Sequence, residues 1–182
     1  MIGFIEGKME RQFIHNNMKY IRIVPVSNGI AWTIERMCSQ IVTAFRALNM
    51  KCDIIVWIDR EGRTQPASEI FESIHGALLN SGADSDSIHI LINDRMSENV
   101  ILADEEIIKE ELGDPHYVYN FEGRSGKSLL KQKYAALGLN YKETDHGVRL
   151  LKKIRISRSA KKSPSVSRFL DTFKSDCWWI TS

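Results

Sequence analysis

Four short apolar runs, separated by longer stretches of helical spacing, set the pattern of this chain. Residues 1–5 (MIGFI) stop abruptly at Glu6–Gly7. They read as a buried strand, with glycine permitting the turn into a helix. Residues 8–18 place Met9, Phe13 and Ile14 at helical intervals. Residues 20–26 alternate apolar with polar positions, as a strand does. Residues 30–48 put Ile34, Met37, Cys38, Ile41, Phe45 and Leu48 on one helical face. The most hydrophobic run, residues 52–58 (CDIIVWI), is nearly unbroken, which predicts a strand at the centre of a parallel sheet.

Pro66 suits a first helical turn, and residues 67–81 follow with Ile70, Ile74 and Leu78 facing inward. Residues 87–92 (SIHILI) form a fourth predicted strand. A helix over 97–112, capped by Ser97 and closed by Gly113 and Pro115, comes next. Beyond His116 the pattern loosens into a short strand at 117–119 and helices near 128–136, 146–154 and 165–173. The strand–helix alternation predicts an α/β fold with a mostly parallel, doubly wound sheet, whose ligands bind at the carboxyl ends of the strands. Residues 1–115 make the α/β core, and residues 116–182 a helical, basic extension on it, together one domain.

Composition narrows the class. With 182 residues, 43% hydrophobic and 26% charged, the chain is neither disordered nor fibrous and is long enough for a real core. Cys38, Cys52 and Cys177 include no close pair, so they form neither a disulfide framework nor a zinc cluster; a reducing compartment follows. No apolar run approaches the roughly eighteen residues of a membrane span. The acidic start does not resemble a signal peptide. A cytoplasmic protein that does not enter a membrane is expected.

The net charge of +2 conceals an asymmetry: residues 1–151 sum to −4 and residues 152–182 to +6. Lys152, Lys153, Arg155, Arg158, Lys161 and Lys162 lie in a stretch with no acid. Such a tail, with Lys8 and Arg63 nearer the strand ends, suits the phosphate backbone of a nucleic acid. A solvated basic helix with no partner is the other reading.

Carboxylates at strand ends carry the candidate chemistry. Glu6 ends the first strand, and Asp59 and Glu61 end the third. A parallel sheet brings such ends to one edge, where unmatched acids repel one another and raise their own pKa values. A Mg²⁺ ion resolves that conflict with oxygen ligands, retaining waters for substrate phosphates. Alternatively, the acids simply end strands in solvent or pair with Lys8, Arg11, Arg60 and Arg63. Asp94 follows the fourth strand and is a further metal candidate; Glu10 and Glu98 are second-rank candidates. Glu98 also suits the first turn of a helix through the dipole alone.

Other signals are discounted. The segment Gly123–Arg–Ser–Gly126–Lys127–Ser128 invites a phosphate-loop reading, but Phe121 stands where the motif needs glycine and no hydrophobic strand precedes it. The histidines are scattered singly, and His146 is expected to make a structural or polar contact. Trp178–Trp179 suits packing or a partner interface more than base stacking.

Several of these segments carry a resemblance. FIEGKMERQFI is similar to the first motif of the Toprim domain, a strand leading into Glu-Gly and a helix. IIVWIDREGR resembles that fold's Asp-x-Asp motif, with Glu61 in place of the second aspartate. NDRMSENVILAD, LNYKETDHGVRLLKKI and SPSVSRFLDTF resemble the Toprim-like RloB/DUF4276 group associated with phage defence and mobile elements. The matched segments run from Ile2 to Phe173, each of them short. The resemblance implies a Rossmann-like Toprim fold, with Glu6 as acid/base and Asp59 and Glu61 as ligands of Mg²⁺ or Mn²⁺.

The implied activity is a metal-dependent nuclease, with DNA ahead of RNA as substrate. It would act in anti-phage defence or on a mobile element, beside a partner ATPase and with oligomerisation open. No tyrosine is placed for a covalent DNA link, so a topoisomerase is not implied. Glutamate at position 61 lengthens one ligand arm by a methylene. This keeps a non-catalytic subunit, binding a partner ATPase or nucleic acid, as the alternative, with an RNA-directed toxin behind it.

Overall fold

A computed structural model describes residues 1–27, 32–48, 52–120 and 122–173. Cys177, Trp178, Trp179 and the first residues of the predicted second helix fall outside these segments. Four strands pair in parallel: β1 (Ile2–Ile5), β2 (Arg22–Pro25), β3 (Ile54–Asp59) and β4 (Ile88–Asn93), in spatial order β2-β1-β3-β4. The sheet is thus parallel throughout, as the unbroken apolar runs require. Helices α1 (Lys8–Asn17), α2 (Ile34–Leu48) and α3 (Ala67–Leu79) connect successive strands. The sheet winds outward from β1 to β2, then reverses through β3 to β4.

Because alternate strand residues point to opposite faces, each buried strand feeds two cores. Phe4, Val56, Ile58 and Ile90 face α2 and α3, where they meet Met37, Ile41, Ile70 and Ile74. Ile5, Trp57 and Leu91 face α1 and the later helices. There Phe13 sets its ring edge-on against Trp57, centroids 6.3 Å apart. This second core extends through Leu130, Tyr134, Leu150 and Phe169, so residues beyond 115 build one continuous hydrophobic cluster with the α/β segment.

The predicted helix over 97–112 is in fact two, α4 (Glu98–Ala103) and α5 (Glu105–Leu112), joined at Asp104. Asp104 is fully buried, and its Oδ2 accepts bonds from Arg158 Nη2 and the Arg155 backbone N–H, both at 2.8 Å. The break is therefore a docking point for the later chain. No strand forms at 117–119. Helix α6 (Gly126–Ala136) precedes a wide five-residue π-type turn, Glu143–Gly147, which runs directly into α7 (Val148–Lys153). Two short helices close the described chain: α8 (Ile156–Ala160), absent from the sequence reading, and α9 (Pro164–Thr172), which covers β4. No helix among the described residues is long and apolar enough to cross a membrane.

Candidate functional site

Between β1 and β3 the winding direction changes, and in such sheets a ligand crevice opens there beyond the strands' carboxyl ends. Glu6 and Gly7 leave β1 at this point, and Asp59 closes β3. Asp59 is the hub. Its Oδ1 accepts from Asn93 Nδ2 at 2.8 Å and from Ser97 Oγ at 2.9 Å, and its backbone N–H donates to Glu6 Oε2 at 2.8 Å. Enclosure of the Asp59 carboxyl, with the negative charges of Glu10 and Glu6 nearby, holds its pKa well above the usual carboxylate range. The bonds from Asn93 and Ser97 oppose that rise without cancelling it.

Two more acids share this environment. Glu10, one turn into α1, is 4% exposed. Its pKa is raised chiefly by burial, a bond to Ser97 opposing, with Glu143 adding repulsion. Glu98, at the start of α4, is raised by burial to about 7; its backbone bonding works against this and the charges of Glu10 and Glu143 reinforce it. The Tyr141 hydroxyl donates to Glu98 Oε1 at a long 3.5 Å. Together with Glu61 and Glu143, these acids line a cavity of about 230 Å³, with Lys8 and Lys127 as its cations.

Local sequence explains how the carboxylates come so close. A Cβ at Gly7 would lie 2.5 Å from Glu10 Cδ, so glycine makes room for that carboxyl. A Cβ at Gly147 would lie 2.7 Å from the Tyr141 hydroxyl oxygen, so the second glycine lets the π-type turn press against α1 and present Glu143. Glu61 is at φ 54°, a left-handed conformation that turns the chain sharply after Arg60.

The sequence-predicted residues divide clearly. Asp59 and Glu61 line the cavity, joined by Glu10, Glu98 and Lys8. Glu6 stands beside Asp59 and ties the ends of β1 and β3 together. Asp94 does not line the cavity; its Oδ1 takes Arg60 Nε at 2.6 Å. The Arg63 guanidinium bonds to the carbonyls of Arg60 and Trp32 and so braces its own loop. In the basic tail, Lys153 pairs with Glu111, Arg158 with Asp104 and Lys162 with Glu105, so much of that charge is neutralised against α4 and α5. Lys152, Arg155 and Lys161 are exposed.

Sequence reasoning missed four contributors. Ser97 was expected as a helix cap, but makes no cap bond and gives its hydroxyl to Asp59. Asn93 extends β4 by one residue beyond the apolar run. Lys127 and Glu143 come from the extension and pair with each other at the cavity. The segment containing Lys127 is no phosphate loop: the Lys127 N–H faces the Met96 sulfur at 3.2 Å. His146 accepts the Lys142 N–H at 2.9 Å and packs at a tilt against the Tyr134 ring, centroids 4.5 Å apart, the structural contact expected of it.

Carboxylate oxygens are the donors a hard divalent cation takes. Among the described residues no three His, Cys, Asp or Glu side chains are grouped so as to hold an ion as they stand. An ion placed here would be held by one or two carboxylates at most, with water and substrate oxygens completing its shell, an arrangement that Mg²⁺ accepts. Compared with known proteins, the chain matches no family model, no curated protein and no solved structure.

Proposed function

We propose that this chain is a Toprim-type, Mg²⁺- or Mn²⁺-dependent nuclease that cleaves phosphodiesters in nucleic acid. The observation that carries the reading is the cluster of Asp59, Glu10 and Glu98 at the sheet's switch point, each acid raised in pKa by burial and by its neighbours. Burying charged acids side by side costs free energy, so acids kept together in a cavity point to a function. Asp59, with Glu10 or Glu61, would hold the ion, which when bound neutralises the acids and lowers the pKa of a coordinated water. Glu98, titrating near neutrality, is suited to move a proton at the reacting water or leaving oxygen. Glu6 orients the Asp59 backbone. The exposed Lys152, Arg155 and Lys161 supply sequence-indifferent backbone contacts. The resemblance to the RloB-like group supplies the anti-phage or mobile-element setting and the partner ATPase.

A second reading, a non-catalytic subunit that binds nucleic acid or a partner, draws on the absence of three converging ligands among the described residues. One experiment separates the two. Purified protein is incubated with plasmid, linear DNA and tRNA, in Mg²⁺, Mn²⁺ or chelator, beside Asp59→Asn and Glu10→Gln. Metal-dependent cleavage lost in both variants supports the nuclease; cleavage that survives both removes the site assignment. Metal-independent binding without cleavage supports the second reading.

A further inference from the structure

Lys127 lines the acidic cavity together with Lys8, and nothing in the reading above uses it. It stands in the first turn of α6 and reaches the cavity wall, where its ammonium pairs with Glu143 on the π-type turn. Partial burial pulls its pKa down, but the bond to Glu143 and the charges of Glu143, Glu98 and Asp59 outweigh that and raise it. Lys127 is thus charged under all ordinary conditions and feels the deepest acids of the site. The Lys127–Glu143 pair is more than a third exposed on both sides, and ion pairs so exposed are held weakly.

These facts conflict with a purely structural role. A lysine placed only to neutralise the acids would sit against the buried Asp59 or Glu98, not at the rim with Glu143. It is instead partly exposed and lines the same cavity as Asp59, within reach of a phosphodiester that enters there. Resting on the nuclease reading, we propose that Lys127 is a substrate-positioning residue: Glu143 holds it at the rim, and an entering phosphate takes it over. The exchange is chemically even, one anionic oxygen partner for another, and Glu143 is left facing a cavity whose acids are then balanced by a bound divalent ion. The substrate-binding cation is in this view supplied by the extension, not by the sheet.

The test is fluorescence anisotropy of a labelled single-stranded DNA oligonucleotide on the full chain in Ca²⁺, an oxygen-seeking ion, at several salt concentrations. Lys127→Met is expected to weaken binding several-fold and to reduce the salt slope by about one phosphate contact. Lys127→Arg is expected to keep both. Glu143→Gln, which frees the lysine, is expected to tighten binding. Far-ultraviolet circular dichroism establishes that each variant is folded. Unchanged affinity and slope in Lys127→Met would overturn the proposal alone. So would a Glu143→Gln variant weakened as much as Lys127→Met, which would make the pair merely structural. A wild-type chain that binds no oligonucleotide at all would overturn the nuclease reading as well.

Discussion

The backbone N–H of Asp59 donates to Oε2 of Glu6 at 2.8 Å, joining the ends of two parallel strands across 53 positions of sequence. Glu6 thereby has a structural duty that is separable from any chemical one. Glu6→Ala leaves that N–H without its partner and is expected to cost about 1–2 kcal/mol, read as a lowered midpoint in urea. Glu6→Gln keeps an accepting oxygen and should restore most of the stability. If cleavage nevertheless stays lost in Glu6→Gln, the carboxylate charge itself takes part in the reaction. If cleavage returns with stability, Glu6 only shapes the loop.

Stability should fall as pH rises through the carboxylate range. Glu98 keeps its proton in the folded state up to about 7, against 4.5 ordinarily, so between these values the folded chain binds more protons than the unfolded one. The linkage relation then makes stability decrease with pH across that window and level off above it. Asp59 and Glu10 are displaced in the same direction and add to the trend. Thermal melts on either side of the window should show a lower Tm at the alkaline end, and Glu98→Gln should flatten part of the difference. Mg²⁺ or Mn²⁺ should raise Tm most at the alkaline end, where the acids are ionised and bind without proton release. A Tm that rises with pH through this window would contradict the burial of these acids.

Gly7 and Glu10 are coupled by space. Gly7→Ala places a Cβ in the Glu10 carboxyl, although the backbone there, at φ −73°, suits any residue. The cost of Gly7→Ala is therefore expected to be about 1–3 kcal/mol, and to vanish largely in a Glu10→Ala background. A double-mutant cycle on chemical denaturation measures that coupling. Additive effects would mean that the two residues do not share the volume.

Asp104 is fully buried and accepts from Arg158 and from the Arg155 N–H. Asp104→Ala removes the acceptor shared by the Arg155 N–H and the Arg158 guanidinium, and is expected to destabilise the chain by about 1–3 kcal/mol. Asp104→Asn, which retains an acceptor, should cost less. The signature to look for is protection: amide exchange in α7 and α8 should rise before exchange in β3 does. Equal loss of protection everywhere would deny Asp104 a local role.

Much of the fold could be read in the sequence because its strands are short, apolar and sharply ended. The runs at β1, β3 and β4 needed only hydrophobicity to be placed, and their acidic ends pointed to the site. The break at Asp104 was hidden, since helical spacing continues on both sides and only a distant arginine explains the stop. Ser97 was legible as a hydroxyl before a helix, but not its choice of Asp59 over the helix N–H groups, which depends on where β3 ends. Glu143 was out of reach: nothing local marks it, and it arrives through a π-type turn packed on α1. The basic tail was legible as charge but not as pairing: a run of cations without acids does not show that Lys153, Arg158 and Lys162 meet Glu111, Asp104 and Glu105, while Lys152, Arg155 and Lys161 stay exposed.

Each wall of the acidic cavity comes from a different part of the chain: Glu10 early, Asp59 and Glu61 a third of the way along, Glu98 at the middle, Lys127 and Glu143 late. The consequence is one of timing. On a ribosome, the first strands can emerge and pair long before position 143 is made, and for that interval the acids stand in an open cleft that lacks Lys127 and Glu143. The pocket closes only when the last third of the chain has emerged and docked, so no shorter nascent chain carries it whole.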